Sequence, residues 1–213
     1  MAAETIIPGK NNAAKAGRTK MGRPRAFSET TALDAAMRVF WEHGYEGTSL
    51  DDLTAAMGIN RSSLYASFGD KETLFRGVIA RYADGPVSYI RKALKEPTAR
   101  AVIESLLRGT AEALGDTSHP RGCLLLQGGL ACGSGAESVK QALIELRKNS
   151  EAVIEKRMKQ AQREGDLPKN VDAKDLGRYV CIVMNGLAIQ AVNGATASEL
   201  TRAVDLAIRS LLL

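Results

Sequence analysis

Residues 48–75, TSLDDLTAAMGINRSSLYASFGDKETLF, hold two short helical patterns separated by one glycine, with a third helical pattern directly behind them. Ser49 is placed as an N-cap with Asp52 in the position of a capping-box acid, and Leu50, Leu53 and Met57 then share one face. Gly58 gives the backbone the freedom that a helix end needs, Ile59 plugs between the two helices, and Asn60 caps the second. From Arg61 onward Leu64 and Phe68 point inward, leaving Arg61, Ser62, Ser63, Tyr65 and Ala66 outside, until Gly69 ends the helix and Asp70 caps the next. A turn this short leaves few arrangements besides two helices crossing at a steep angle.

A preceding helix completes a three-helix unit. Ser28 caps a segment in which Leu33, Ala36, Met37, Phe40 and Trp41 recur on one face, and Gly44 closes it. The outward face of the 61–68 helix suits a DNA groove. Small residues let the backbone approach base edges, Arg61 can fork onto guanine, and Ser62, Ser63 and Tyr65 can donate to phosphate or base. The plainer alternatives are a packing aromatic at Tyr65 and a merely solvated face at Ser62 and Ser63.

The segments FWEHGYEGTS at 40–49, MGINRSSLY at 57–65 and SFGDKETLF at 67–75 resemble the TetR family of bacterial transcription regulators, in the family's order across roughly residues 25–82. By that resemblance Thr48, Arg61, Ser62, Ser63, Tyr65 and Lys71 match positions that contact operator DNA. Ser49, the cap beside Thr48, joins them as a candidate. Ser67 departs from the aromatic or His frequent in the family at that place. The resemblance also implies a ligand-responsive repressor, and a homodimer joined through its last two helices.

The net charge of +5 is unevenly placed. Residues 1–27 hold Lys10, Lys15, Arg18, Lys20, Arg23 and Arg25 against Glu4, and the rest of the chain is balanced. From Ser28 to Glu72 three basic residues face eight acidic ones, which argues against a non-specific basic DNA coat. Helix N-termini and a few positioned side chains are expected to meet the phosphates, with the tail adding a salt-dependent contribution. The tail has no amphipathic period and is expected to be disordered when free. Its GRPR at 22–25 places Arg23 and Arg25 as a minor-groove arm, against a simple solvated tail or a true start at Met21.

After Phe75 the patterns become longer helices. One continues to Gly85 and Pro86, and others are expected at about 87–95, 98–114, 121–132, 136–164, 172–193 and 197–212. No strand period or repeat competes. The expected fold is all-α: a disordered basic tail at 1–24, an N-terminal three-helix helix-turn-helix DNA-binding domain at 25–72, and a larger helical ligand-binding and dimerisation domain at 73–213. No signal peptide is recognisable, and the longest nearly apolar run, 179–192, contains Asn185 and Gln190 and is too short to span a membrane. A cytoplasmic location is expected. The 172–193 helix is apolar all round and the 197–212 helix similarly burdened, so each needs a second cover, which a homodimer supplies.

Leu106, Leu107, Leu124, Leu125, Leu126, Leu130, Leu143 and Leu146 are candidates to line an effector cavity, with Cys123 and Gln127 as polar handles; an ordinary core explains such a list as well. The effector is expected to be an unidentified small molecule meeting Leu107, Cys123, Leu126, Gln127 and Leu130. Cys123 and Cys132 are nine apart, about 180° round if one helix holds both, which makes a poor ligand pair; Cys181 lies on the apolar helix. Thiol or metal sensing is the minor alternative, and activation rather than repression another. The chain has two His and none of the phosphate-cradling, zinc-protease or C-x-x-C patterns, so no cofactor, metal or catalysis is expected, a Cys123–His119 hydrolase being the remaining enzyme reading.

Overall fold

The computed structural model describes residues 28–130 and 134–211, which form ten α-helices joined by short turns, with no strand among them. Arg23, Arg25, the rest of the tail and Cys132 lie outside the described residues, as does the side chain of Leu130. The first four helices are α1 (Glu29–His43), α2 (Leu50–Met57), α3 (Arg61–Phe68) and α4 (Lys71–Asp84). Their ends are set locally. The Ser28 hydroxyl accepts from Thr31 N, Ser49 and Asp52 close a reciprocal capping box, Asn60 accepts from Ser63 N and Asp70 from Thr73 N. Gly58 sits in the left-handed region at φ 66°, ψ 30°, where it stops α2 and lets α3 start three residues later.

The next helices are α5 (Tyr89–Ala93), α6 (Ala99–Gly115), α7 (Leu124–Leu130), α8 (Glu137–Glu164), α9 (Ala173–Val192) and α10 (Ala197–Ser210), with a single 3₁₀ turn at Ser134–Ala136. Two expected elements are shorter than their sequence patterns. The first keeps only Tyr89–Ala93, and the second begins at Leu124, after Gly122 at φ 89°. Cys123 therefore precedes α7 instead of lying within it.

Two apolar clusters hold the chain together. The N-terminal cluster joins Phe40 and Trp41 of α1, Leu53 and Met57 of α2, Leu64 of α3 and Leu74, Phe75, Val78, Ile79 and Tyr82 of α4. It also takes in Leu124 of α7 and Val139 and Leu143 of α8, so apolar packing does not break where the reader was expected to end. Polar links follow the same route: Ser138 donates to Glu72 at 2.8 Å, and Arg38 to the Ser118 carbonyl at 2.8 Å. α7 and α8 are thereby packed directly against the reader's α1 and α4.

The second cluster packs α6, α8, α9 and α10 around Leu106, Leu107, Met158, Val180, Leu200 and Val204. Glu155 and Lys159 pair one turn apart on α8, as their spacing predicts. On α9 the apolar residues divide: Leu176, Val180, Leu187 and Ala191 are buried, whereas Tyr179, Ile182, Ile189 and Val192 stay exposed. Leu206 of α10 is exposed as well, at 63 %. On the same helix α9, Gly186 has open space around it, whereas Ala188 is buried in its own protomer.

Candidate functional site

The outer face of α3 presents Arg61, Ser62, Tyr65 and Ala66 to solvent, with Leu64 fully buried beneath and Phe68 half-buried. Tyr65 is 51 % exposed, which removes the alternative of an aromatic packed at a helix end. Arg61 is held by Asp51 of α2, its Nε at 3.1 Å and Nη2 at 2.8 Å from one carboxylate oxygen. The Ser62 hydroxyl donates to Asn60 Oδ1 at 2.7 Å, and Ser63 is half-buried with its backbone N–H on the same oxygen. Each of these groups meets its partner within the helix pair, so a phosphate or base must exchange for an existing contact.

Thr48 and Ser49 lie side by side at the start of α2 but face differently. Thr48 is 1 % exposed and its hydroxyl donates to the Gly44 carbonyl at 2.7 Å, so the side chain ties the end of α1 to the start of α2 instead of facing outward. Its side chain is therefore internal, between two packed helices. Ser49 is exposed, but its hydroxyl is engaged by Asp52 at 2.6 Å. The same hydrogen bonds hold the Asp52 carboxyl below the usual range and keep it ionised. Lys71 opens α4 with its ammonium 4.4 Å from the Tyr45 ring centroid, over an aromatic group in which Tyr45 meets Phe40 and Phe75.

A second feature lies where the reader meets the C-terminal helices. A cavity of about 120 Å³ is walled by Trp41 of α1, Tyr82 of α4, Tyr89 and Ile90 of α5, Thr110 of α6, Leu125 and Leu126 of α7, Arg147 of α8 and Met184 of α9, among others. Cys123 and Leu126 line it as expected. Leu107 does not: it is fully buried in the C-terminal core, and it is Thr110, Ala113 and Leu114, one to two turns further along α6, that line the cavity. Leu106, Leu124 and Leu143 are likewise core, as the plainer reading had it. Gln127 stands behind the wall, its Oε1 buried and without a partner.

No leucine pattern in the sequence points to the aromatic part of the wall. One signal was available: a glycine within the α6 pattern, Gly109, where any Cβ would collide with the Tyr89 ring. Tyr89 contacts the Thr110 hydroxyl at 2.9 Å, and burial pushes its phenol up to about 12. Tyr82, raised well above its ordinary value by burial, donates to Cys123 Sγ at 3.6 Å. The wall phenols are therefore neutral donors at any working pH. His119 stacks on Trp41 at 5.7 Å. Among the described residues no group of three His, Cys, Asp or Glu is placed to hold a metal, and no helix is long and apolar enough to cross a membrane.

A three-helix DNA reader packed against a helical body, with a cavity at their junction, defines a helix-turn-helix DNA-binding regulator. Residues 32–78 match the family model "Bacterial regulatory proteins, tetR family", and residues 97–207 match "Tetracyclin repressor-like, C-terminal domain". The chain belongs to the TetR family of transcriptional regulators. The HTH-type transcriptional repressor ComR of Escherichia coli (strain K12) is 30% identical over 190 residues, which is 88% of this chain and 90% of that protein. The solved structure of a cysteine-substituted form of the TetR family regulator CifR, complexed with 26-base-pair double-strand operator DNA, superposes with a TM-score of 0.85 at 39% identity over 89% of this chain and all of that one. A TetR regulator from Chloroflexus aurantiacus shares the fold, with a TM-score of 0.74 at 20% identity over 85% of this chain and 93% of that one.

Proposed function

We propose that the chain acts as a homodimeric repressor that binds a palindromic double-stranded operator and leaves it when a small molecule enters the junction cavity. Two copies of α3 enter successive major grooves about one DNA turn apart. Arg61, Ser62, Ser63, Tyr65 and Lys71 make the DNA contacts, Ser49 and the Thr48 backbone lie beside them, and Arg23 and Arg25 add a minor-groove arm. Exposed Tyr179, Ile182, Ile189 and Val192 on α9, with Leu206 on α10, meet their copies in the partner. The working division is a tail at 1–24, a reader at 25–72 and an effector and dimerisation body at 73–213, with α4 connecting the last two. The protein works in the cytoplasm, without catalysis.

The observation that carries this reading is the cavity's shared wall. Trp41 and Tyr82 belong to the reader's apolar cluster, and Thr110, Arg147 and Met184 to the helices behind it, so one occupant presses on both. It shifts the equilibrium by its preference between two reader spacings. Selection of genomic fragments by the purified protein, repeated with Arg61→Ala and Tyr65→Phe, tests the reader: a palindromic motif weakened in both variants is expected, and no enriched motif would refute it.

Cys123 and Cys181 both line the cavity, which favours thiol sensing as the second reading. Serine variants that respond to effector as the unaltered protein does would remove it. An activator is distinguished by the direction of promoter activity in a deletion strain.

A further inference from the structure

Trp41 is the single tryptophan of the chain and is 3 % exposed. Its ring is fixed by an edge contact with Tyr82 at 4.9 Å and by stacking on His119 at 5.7 Å. Neither contact supplies an acceptor, and its Nε1 is buried without a hydrogen-bond partner. Buried indole N–H groups are nearly always paired in native proteins. The residue that carries this one forms part of the cavity wall.

Asn185 of α9 is a further polar wall residue, able to donate or accept, while other polar wall groups are already engaged. Tyr82 donates to Cys123, Thr110 to the Leu106 carbonyl at 2.8 Å, and Ser150 to the Leu146 carbonyl at 3.0 Å. Arg147 donates from Nη1 to the Leu125 carbonyl at 2.7 Å and brings a positive charge, and no acidic residue is among the described residues that line the cavity. Most of the wall is apolar. Its volume is close to that of the roughly 150 Å³ engineered cavity that admits benzene.

We propose that the effector of this cavity is a compact apolar molecule, about one ring in size, bearing an oxygen acceptor (a carbonyl or a carboxylate) that takes the Trp41 Nε1–H bond. This rests on the reading of the cavity as the effector site. An amine is not the class that Trp41 selects, because it offers a donor to the indole N–H and its cation meets the charge of Arg147. Trp41 is a specificity-determining residue, and because it lies on α1 the same bond places ligand occupancy directly on the reader.

The single indole resonance of the ¹⁵N-labelled full chain reads this bond. Acetophenone and benzoate are titrated as the neutral and anionic acceptors, α-methylstyrene as the shape of acetophenone without its oxygen, and phenethylammonium as the cation. An acceptor is expected to move the indole proton downfield and to bind about three- to tenfold tighter than α-methylstyrene, the range of one net hydrogen bond. Which of acetophenone and benzoate does so identifies the neutral or anionic source of the oxygen. Trp41→Phe is expected to abolish that advantage, so that acetophenone, benzoate and α-methylstyrene bind the variant alike whatever their common affinity becomes; should the variant not fold, the comparison in the unaltered protein still decides. Equal binding of acetophenone, benzoate and α-methylstyrene with an unmoved indole resonance overturns the proposal but leaves the cavity as the effector site. No binding of any probe at millimolar concentration overturns both. Binding with the indole shift but no loss of operator affinity supports the Trp41 assignment and refutes release by ligand.

Discussion

Arg61 and Asp51 face each other across the turn between α2 and α3, two guanidinium nitrogens converging on one carboxylate oxygen. Their side chains are 60% and 75% exposed, so the pair adds little stability and breaks readily. Its consequence is for binding: it holds the Arg61 fork in place, and it sets a negative charge where phosphate must approach.

Arg61→Ala is expected to weaken operator binding by roughly ten- to a hundredfold, as loss of a bidentate base contact does. Asp51→Asn is expected to act oppositely on random-sequence DNA, raising affinity by about two- to fivefold at low salt and less at high salt. Fluorescence anisotropy at two salt concentrations separates these effects. Unchanged non-specific affinity in Asp51→Asn would mean that the pair does not compete with DNA.

The helix caps predict the acid limb of stability. Asp70 and Asp172 are held below the ordinary 3.8 by the backbone N–H groups they cap, Thr73 for the first and Asp175 with Lys174 for the second. A carboxyl lowered in the folded state stabilises it above the ordinary value and loses that contribution as pH falls through the lowered one. Thermal midpoints are therefore expected to drop below about pH 4. The double variant Asp70→Asn with Asp172→Asn keeps capping groups and is expected to fall less steeply between pH 4 and 2; equal slopes would refute the assignment.

Gly58→Ala tests the turn without a packing change, because an added Cβ meets nothing within 4 Å. The left-handed backbone alone is expected to cost about 1–2 kcal/mol, or a fall of roughly 2–8 °C in Tm. Calorimetry measures it, and Gly58→Asn is expected to lose less.

Ile182 is 59 % and Leu206 63 % exposed on the face proposed to meet the partner. Ile182→Glu with Leu206→Glu is expected to give a folded monomer by light scattering, with operator affinity lowered on the order of 100-fold by loss of the second half-site. A dimer that survives both charges would place the interface elsewhere.

Burial, and then the charge of Glu151, push the Cys181 thiol up to about 11. At pH 8 only about one thiol in a thousand is then ionised, so iodoacetamide is expected to modify it on the order of 100-fold more slowly than free cysteine. Mass spectrometry of the timed reaction checks this; slow alkylation would count against Cys181 as the sensing thiol, and fast alkylation would support it.

The helices were legible in the chain because their ends are local. Ser49 with Asp52, Asn60 with Ser63 N and Asp70 with Thr73 N bond within one turn, and Gly58 needs only its own backbone, so α1 to α4 fall where their caps put them. The outward face of α3 was legible for the same reason: Leu64 fixes which side is in, and Arg61 and Tyr65 follow. The amphipathic division of α9 was half legible, since its apolar girdle shows a second cover is needed without showing which residues meet it.

What the sequence alone determined is the reader: its helices, its turn and the residues on its outer surface, all set by hydrogen bonds three or four residues long and a 3.6-residue period. Only the tertiary structure decided that Thr48 is internal, that Leu107 packs in the core while Leu126 meets the cavity, and that Trp41, Tyr82, Tyr89 and Arg147 surround one space. Those outcomes depend on how far each helix is rotated about its axis when it packs, and that rotation is fixed by contacts between residues far apart in the chain, such as Tyr89 against Gly109 and Phe40 against Phe75.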